Sequence, residues 1–203
     1  MKRIIFSIAI LVLTSSVAIG QITRPAIIKK KTEPGQTKTA PAETAPPAPV
    51  TLVYTLTAVK ANIRTGTDNK EFPSVVRAGL SARNSSAAYF KQENLKNEMK
   101  VNSNTEFGLE KAGTGPITLD DLQKNGLRFD ISYFANFQLD AWKIEGVTIT
   151  LEFRDQFGNL HPAYGQKSIT FGNASGFLNG YNENRMTCTT DGYFNPLSAQ
   201  ITK

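Results

Sequence analysis

Cysteine and histidine each occur once in the 203 residues, as Cys188 and His161. One cysteine excludes an intramolecular disulfide framework and a thiolate metal site built within one chain. One histidine excludes a multi-histidine metal centre. It also leaves a Ser–His–acid triad nothing but His161, which stands in Asn159-Leu160-His161-Pro162, where the proline pushes its neighbour extended. No Gly-x-Ser-x-Gly elbow accompanies it. His161 is therefore expected to be a surface or cross-turn hydrogen-bonding residue, and a Cys188–His161 hydrolase pair has no motif behind it. Phosphate-binding loops are lacking too, because Gly113-Thr114-Gly115-Pro116 is followed by no Lys-Ser/Thr.

Long apolar runs are confined to the N-terminus. Lys2 and Arg3 precede Ile4 to Val12, and Ala18 and Gly20 hold the small positions before Gln21. This is the pattern of a cleaved signal peptide over 1–20, with an apolar run shorter than a membrane span. No cysteine stands near the cleavage site, so the mature chain is expected to be exported, periplasmic or extracellular, without a lipid anchor or a transmembrane segment. In an oxidising compartment Cys188 is expected as a buried unpaired thiol, with an intermolecular disulfide as the alternative.

Aromatic residues are missing between residues 7 and 50. Six of the ten prolines fall in 21–50, at positions 25, 34, 41, 46, 47 and 49. Such a segment buries too little apolar surface to offset its ordering entropy, and 21–50 is expected to be a disordered, proline-rich linker. Lys29-Lys30-Lys31 within it are candidate contacts to an anionic surface, or simply a solvated run. The formal charge of +6 divides as +2 in 1–20, +3 in 21–50 and +1 in 51–203. The domain's basic residues are scattered among nearly as many acidic ones, so no nucleic-acid partner is expected.

What is present is a β pattern over 51–203. Val53 to Ile63 alternates. Leu127, Phe129, Ile131 and Tyr133 share one face of a strand, and Val147, Ile149, Leu151 and Phe153 share one face of another. Further strands are expected at 74–80, 167–171, 185–190 and 197–202. Two short helices are expected. Phe90–Lys100 places Leu95 and Met99 on one face. Leu119–Asn125 has Thr118 as N-cap, Asp121 at the capping-box position and Gly126 as its stop. The fold class is thus all-β: an antiparallel β-sandwich with one or two short helices in loops.

Candidate ion ligands are oxygen donors in turns. Thr65-Gly66-Thr67-Asp68-Asn69 supplies a carboxylate and an amide at one strand end, and Asp155 offers a carboxylate at another. Asp68, Asn69 and Asp155 are the candidate calcium ligands, or ordinary Asx turns. Tyr164, Tyr181 and Tyr193 lie in Gly/Asn/Pro-rich surroundings and are the candidate ligand-binding face. Trp142 is bracketed by apolar residues and expected in the core.

Two segments carry a family resemblance. Tyr54 to Asp68 ends in Thr65-Gly66-Thr67-Asp68, and Leu139-Asp140-Ala141-Trp142-Lys143-Ile144 leads into the strand through Ile149. Together they resemble the PLAT (lipoxygenase-homology) β-sandwich. That resemblance implies a binding module for lipid surfaces or protein partners, with Asp68 as an ion ligand and Trp142 in the core. Asn69 to Pro73 departs from the small residues usual after that aspartate. The function expected is therefore a non-catalytic, envelope-associated module recognising a protein, glycan or lipid surface. A carboxylate-based polysaccharide hydrolase and a structural component of an envelope or extracellular assembly are the alternatives.

Overall fold

The long sixth strand shows how the pattern folds. In β6 (Ala141–Arg154), Trp142, Ile144, Val147, Ile149, Leu151 and Phe153 point inward, and their neighbours point outward. From Ile144 to Arg154 it pairs with β1 (Thr55–Thr65). Arg64 pairs with Gly146 but Thr65 with Ile144, so Glu145 is an extra residue that bulges. The bulge restores the parity that keeps Trp142 and Ile144 in the core.

The computed structural model describes residues 50–180 and 184–202. All of them belong to one compact unit. Residues 1–49, which hold the expected signal peptide, most of the expected linker and Lys29, Lys30 and Lys31, lie outside the described residues, as does Tyr181.

The described residues hold ten strands and one helix. The remaining elements are β2 (Val75–Ala82), β3 (Phe90–Leu95), β4 (Asn104–Lys111), α1 (Leu119–Asn125), β5 (Leu127–Phe134), β7 (Gln166–Phe171), β8 (Gly176–Asn179), β9 (Arg185–Thr190) and β10 (Pro196–Thr202). Every strand pair is antiparallel. One layer runs β4-β1-β6, with β7 and β8 sharing the far side of β6. The other runs β3-β2-β5-β9-β10. The layers join where Phe90 and Lys91 of β3 pair with β4. The result is an antiparallel, sandwich-like β fold, as the alternation implies. Between the layers lies one apolar core containing Trp142, Phe129, Phe153, Phe171 and Phe194. Among the described residues no helix is long and apolar enough to cross a membrane.

One expected helix is absent. Phe90–Leu95 is a strand, and Met99 forms an isolated bridge with Lys70. The other helix forms over the expected residues. Thr118 Oγ accepts the Asp121 amide at 3.2 Å, and the Gly126 amide closes on the Leu122 carbonyl at 2.8 Å. Gly126 has φ of 71°, and a Cβ there would overlap the Thr190 carbonyl oxygen. Only glycine can turn the chain this tightly against β9.

Candidate functional site

The antiparallel ladder assigns each candidate residue to an end of the fold. Thr65 pairs with Ile144 and Thr55 with Arg154, so Asp68 and Asn69 leave one end of β1 and Asp155 leaves the opposite end of β6. At 3.4 Å per residue the length of β1 keeps the two turns about 30 Å apart. One ion cannot take ligands from both. The Asp155 carboxylate is also occupied by its own turn. Oδ1 accepts the amides of Phe157 at 2.9 Å and Asn159 at 2.8 Å, and Oδ2 accepts the Asn159 side-chain amide at 3.0 Å. These bonds hold its carboxyl below the usual range against the opposing effect of desolvation. The Asn69 amide reaches Glu98 Oε1 at 3.4 Å, and the Asp68 carbonyl accepts the Lys143 amide at 3.1 Å. Among the described residues, no three His, Cys, Asp or Glu side chains are grouped to hold a metal ion.

The Asp68 end carries a polar group that the sequence conceals. Lys70 is fully buried. Its ammonium donates to the carbonyls of Lys96 at 2.8 Å, Asn97 at 2.9 Å and Glu71 at 3.2 Å. Burial lowers its pKa from 10.5 to about 8, although the negative charges of Asp140 and Glu98 pull the other way. Nearby, Asp140 Oδ2 accepts the Tyr133 hydroxyl and the Ser74 hydroxyl, the latter at 2.7 Å. Ser74 Oγ in turn accepts the Asn136 amide at 3.0 Å. Burial and the Asp140 carboxylate push the Tyr133 phenol well above its ordinary value. Trp142 Nε1 donates to Thr65 Oγ1 at 3.2 Å. These bonds tie together the loops after β1, β3 and β5. Their groups are satisfied by one another and serve the packing of that end.

The opposite end gathers α1, the β6–β7 loop and the β9–β10 turn. A chain of rings links them: Tyr54 against His161 at 4.3 Å, His161 against Tyr164 at 5.2 Å, Tyr164 against Phe194 at 5.7 Å, and Phe194 stacked on Phe153 at 5.9 Å. His161 Nδ1 accepts the amides of Ala163 at 3.0 Å and Tyr164 at 2.9 Å, the cross-turn role expected of it. Tyr164 is thus half-buried within the ring chain. Cys188 lies inside β9, paired with Phe129 and Ala199. Burial and the charge of Asp130 push its thiol up to about 12. Its side chain is buried, as the first of the two sequence readings expects.

Of the two candidate tyrosines among the described residues, Tyr193 is the one left open, at 72% exposure. Its turn repeats the Asp155 geometry. Asp191 Oδ1 accepts the amides of Tyr193 at 2.9 Å and Asn195 at 2.8 Å, and Oδ2 accepts the Asn195 side-chain amide at 2.9 Å. The bonds from Asn195 and Tyr193 hold its carboxyl below the usual range. Phe194 adopts φ of 63°, a conformation costing a non-glycine residue roughly 1–2 kcal/mol. Burying its ring against Phe153 offsets that by about 2–3 kcal/mol. The same kink that turns Phe194 inward turns Tyr193 outward. An open depression of about 530 Å³ lies beside that ring, lined by Asp120, Gln123, Lys124, Asp191, Gly192 and Tyr193. The main chain of Gly192 lies against Gln123, whose carbonyl oxygen a Cβ at 192 would overlap. Gly126 makes the matching approach from α1 to β9. One wall of the depression is therefore set by the backbone-to-backbone contact of Gly192 with Gln123. Sequence reasoning found Tyr193 but neither Gly192 nor the three side chains that α1 contributes. No protein-family model and no curated protein matches this chain.

Proposed function

We propose that this chain is an exported, non-catalytic binding module that takes a glycan at the α1 end of the fold, with Tyr193 as its stacking platform. The carrying observation is the exposed Tyr193 ring at the edge of an open depression edged by Asp120, Gln123 and Lys124. An aromatic face receives the apolar C–H face of a sugar ring, while Asp120, Gln123 and Lys124 offer acceptors and donors to its hydroxyls. The Gly192–Gln123 backbone contact fixes one wall, which reduces the ordering lost on binding. This reading keeps the binding-module role that the PLAT resemblance implies and takes the glycan among the three surfaces expected from the sequence, where that resemblance implies lipid or protein.

The hydrolase alternative would pair Asp120 with Asp191. A glycosidase needs one carboxyl with a raised pKa to protonate the leaving oxygen. The Asp191 oxygens already accept three N–H bonds within their own turn, which suits a structural carboxylate better than a nucleophile or base and favours binding over cleavage.

The test is affinity electrophoresis in gels containing neutral polysaccharides, with the wild-type chain and Tyr193→Ala. Retardation of the wild type, weakened at least tenfold in the variant at an unchanged melting temperature, is the expected result. Reducing ends released from the polysaccharide would favour the hydrolase. Equal retardation of both proteins would remove Tyr193 from the site.

A further inference from the structure

A second hollow of about 150 Å³ shares a residue of α1 with the Tyr193 depression and is lined by Thr51, Leu52, Val53, Tyr54, Thr118 and Asp120. Asp120 belongs to both hollows, and no other lining residue does. The geometry points to a continuous groove that binds a linear, uncharged polysaccharide across several sugar units, running from Tyr193 over Asp120 to Leu52 and Val53. This deepens the glycan-binding reading of the same depression and rests on it.

The far wall is built, not incidental. Residues 51–53 are clamped by Gln156, whose Oε1 accepts the Val53 amide at 3.0 Å and whose Nε2 donates to the Thr51 carbonyl at 3.2 Å. Tyr54 then accepts the Leu119 amide at 2.9 Å, which fixes this wall to the first turn of α1. Leu52 and Val53 remain half exposed, at 47% and 49%. Apolar surface at one end, an aromatic ring at the other and a carboxylate between them suit a chain of rings. Each ring presents a C–H face and a rim of hydroxyls, and Asp120 accepts from the unit at the centre.

Charge selects the class of polymer. The groove carries Asp120 and Asp191, with Asp121 one residue along α1, against Lys124, which lies 3.8 Å from Asp121, and Arg83, whose charge acts on Asp191. The remaining excess of one carboxylate disfavours uronates and sulfated chains at short range. A neutral chain meets no such penalty.

Isothermal titration of the chain with cello-, manno- and chito-oligosaccharides of two and six units tests the proposal, with polygalacturonate as the charged arm. The hexamer of at least one series is expected to bind tenfold or more tightly than its dimer. Leu52→Ser, at an exposed position, is expected to bring hexamer affinity down toward that of the dimer and leave the dimer unchanged, whereas Tyr193→Ala weakens both. Equal affinities for dimer and hexamer with Leu52→Ser silent would overturn the extended groove and leave the Tyr193 site standing. Tighter binding of polygalacturonate would overturn the neutral class. Binding of none of these sugars would overturn both the groove and the glycan reading on which it rests.

Discussion

Lys70 is expected to make the stability of this fold rise in mildly alkaline solution. A lysine that gains an acidic partner on folding usually has a raised pKa and loses its contribution at high pH. Here desolvation wins, and the folded pKa is about 8 against an ordinary 10.5. Between those values the unfolded chain keeps a proton that the folded chain has released. Stability therefore increases with pH across that window. From pH 7 to pH 9 the gain for Lys70 alone is on the order of 1 kcal/mol by linkage. Two groups oppose it. The Cys188 thiol is pushed from 9.0 to about 12, so above pH 9 the unfolded chain loses a proton that the folded chain retains, and stability falls. The raised phenol of Tyr133 acts in the same direction above about pH 10. The sum is a rise of about 1 kcal/mol between pH 7 and 9, a plateau to about pH 10, and a decline beyond.

Urea denaturation at half-unit pH steps reads this directly. With a slope of about 2 kcal/mol per molar, the midpoint moves up by about 0.5 M between pH 7 and 9. Lys70→Met leaves the carbonyls of Lys96, Asn97 and Glu71 without their donor and costs about 3 kcal/mol or more. Its midpoint is expected to stay flat from pH 7 to 8.5 and then fall. Cys188→Ala should extend the wild-type rise toward pH 10. A wild-type midpoint that falls steadily from pH 7, or the same rise in Lys70→Met, would refute the assignment of the alkaline gain to this ammonium.

Two further outcomes follow from contacts already described. Gly192→Ala drives a methyl group into the Gln123 carbonyl and separates the β9–β10 turn from α1, so a loss of about 2 kcal/mol or more is expected by thermal melting, together with loss of glycan retardation. Trp142→Phe removes the Nε1 bond to Thr65 and leaves a cavity beside Tyr133, a cost of about 2–3 kcal/mol by urea titration, while Thr65→Val alone should cost about 1 kcal/mol.

Where one strand face is buried and the other wet, as in β5 and β6, alternation is visible in the residues themselves. The cap at Thr118 and the stop at Gly126 mark α1 equally well, because each answers a backbone need that few residue types meet. β3 is opaque for the opposite reason. It pairs fully with β2 alone and meets β4 only at Phe90 and Lys91, so Lys91, Gln92, Glu93 and Asn94 cover an edge and no alternation survives. What remains, Leu95 and Met99 four apart among helix-forming residues, imitates a helix. β4 offers only Phe107 and Leu109 to the core, and β8 has four residues, too few for a period to register.

The sites fail or succeed by the same logic. Asp68 and Asp155 look alike as turn carboxylates, but only the pairing of β1 with β6 reveals that they face opposite ends. Lys70 looks like a surface charge until the loops after β1 and β3 close over it. Tyr193 and Phe194 are adjacent aromatics with opposite fates, and nothing in their side chains decides which goes outward. The decision belongs to Asp191 and Asn195, whose spacing repeats that of Asp155 and Asn159. In both turns the aspartate collects the amides two and four residues on and the asparagine side chain. Asp-Gln-Phe-Gly-Asn leaves Phe157 exposed, and Asp-Gly-Tyr-Phe-Asn leaves Tyr193 exposed, each two residues after the aspartate. An aromatic residue at that position of an Asp-x-x-x-Asn turn is thus presented outward by the backbone bonds of its own loop. The repeated spacing is the signal by which this site could have been found in the sequence.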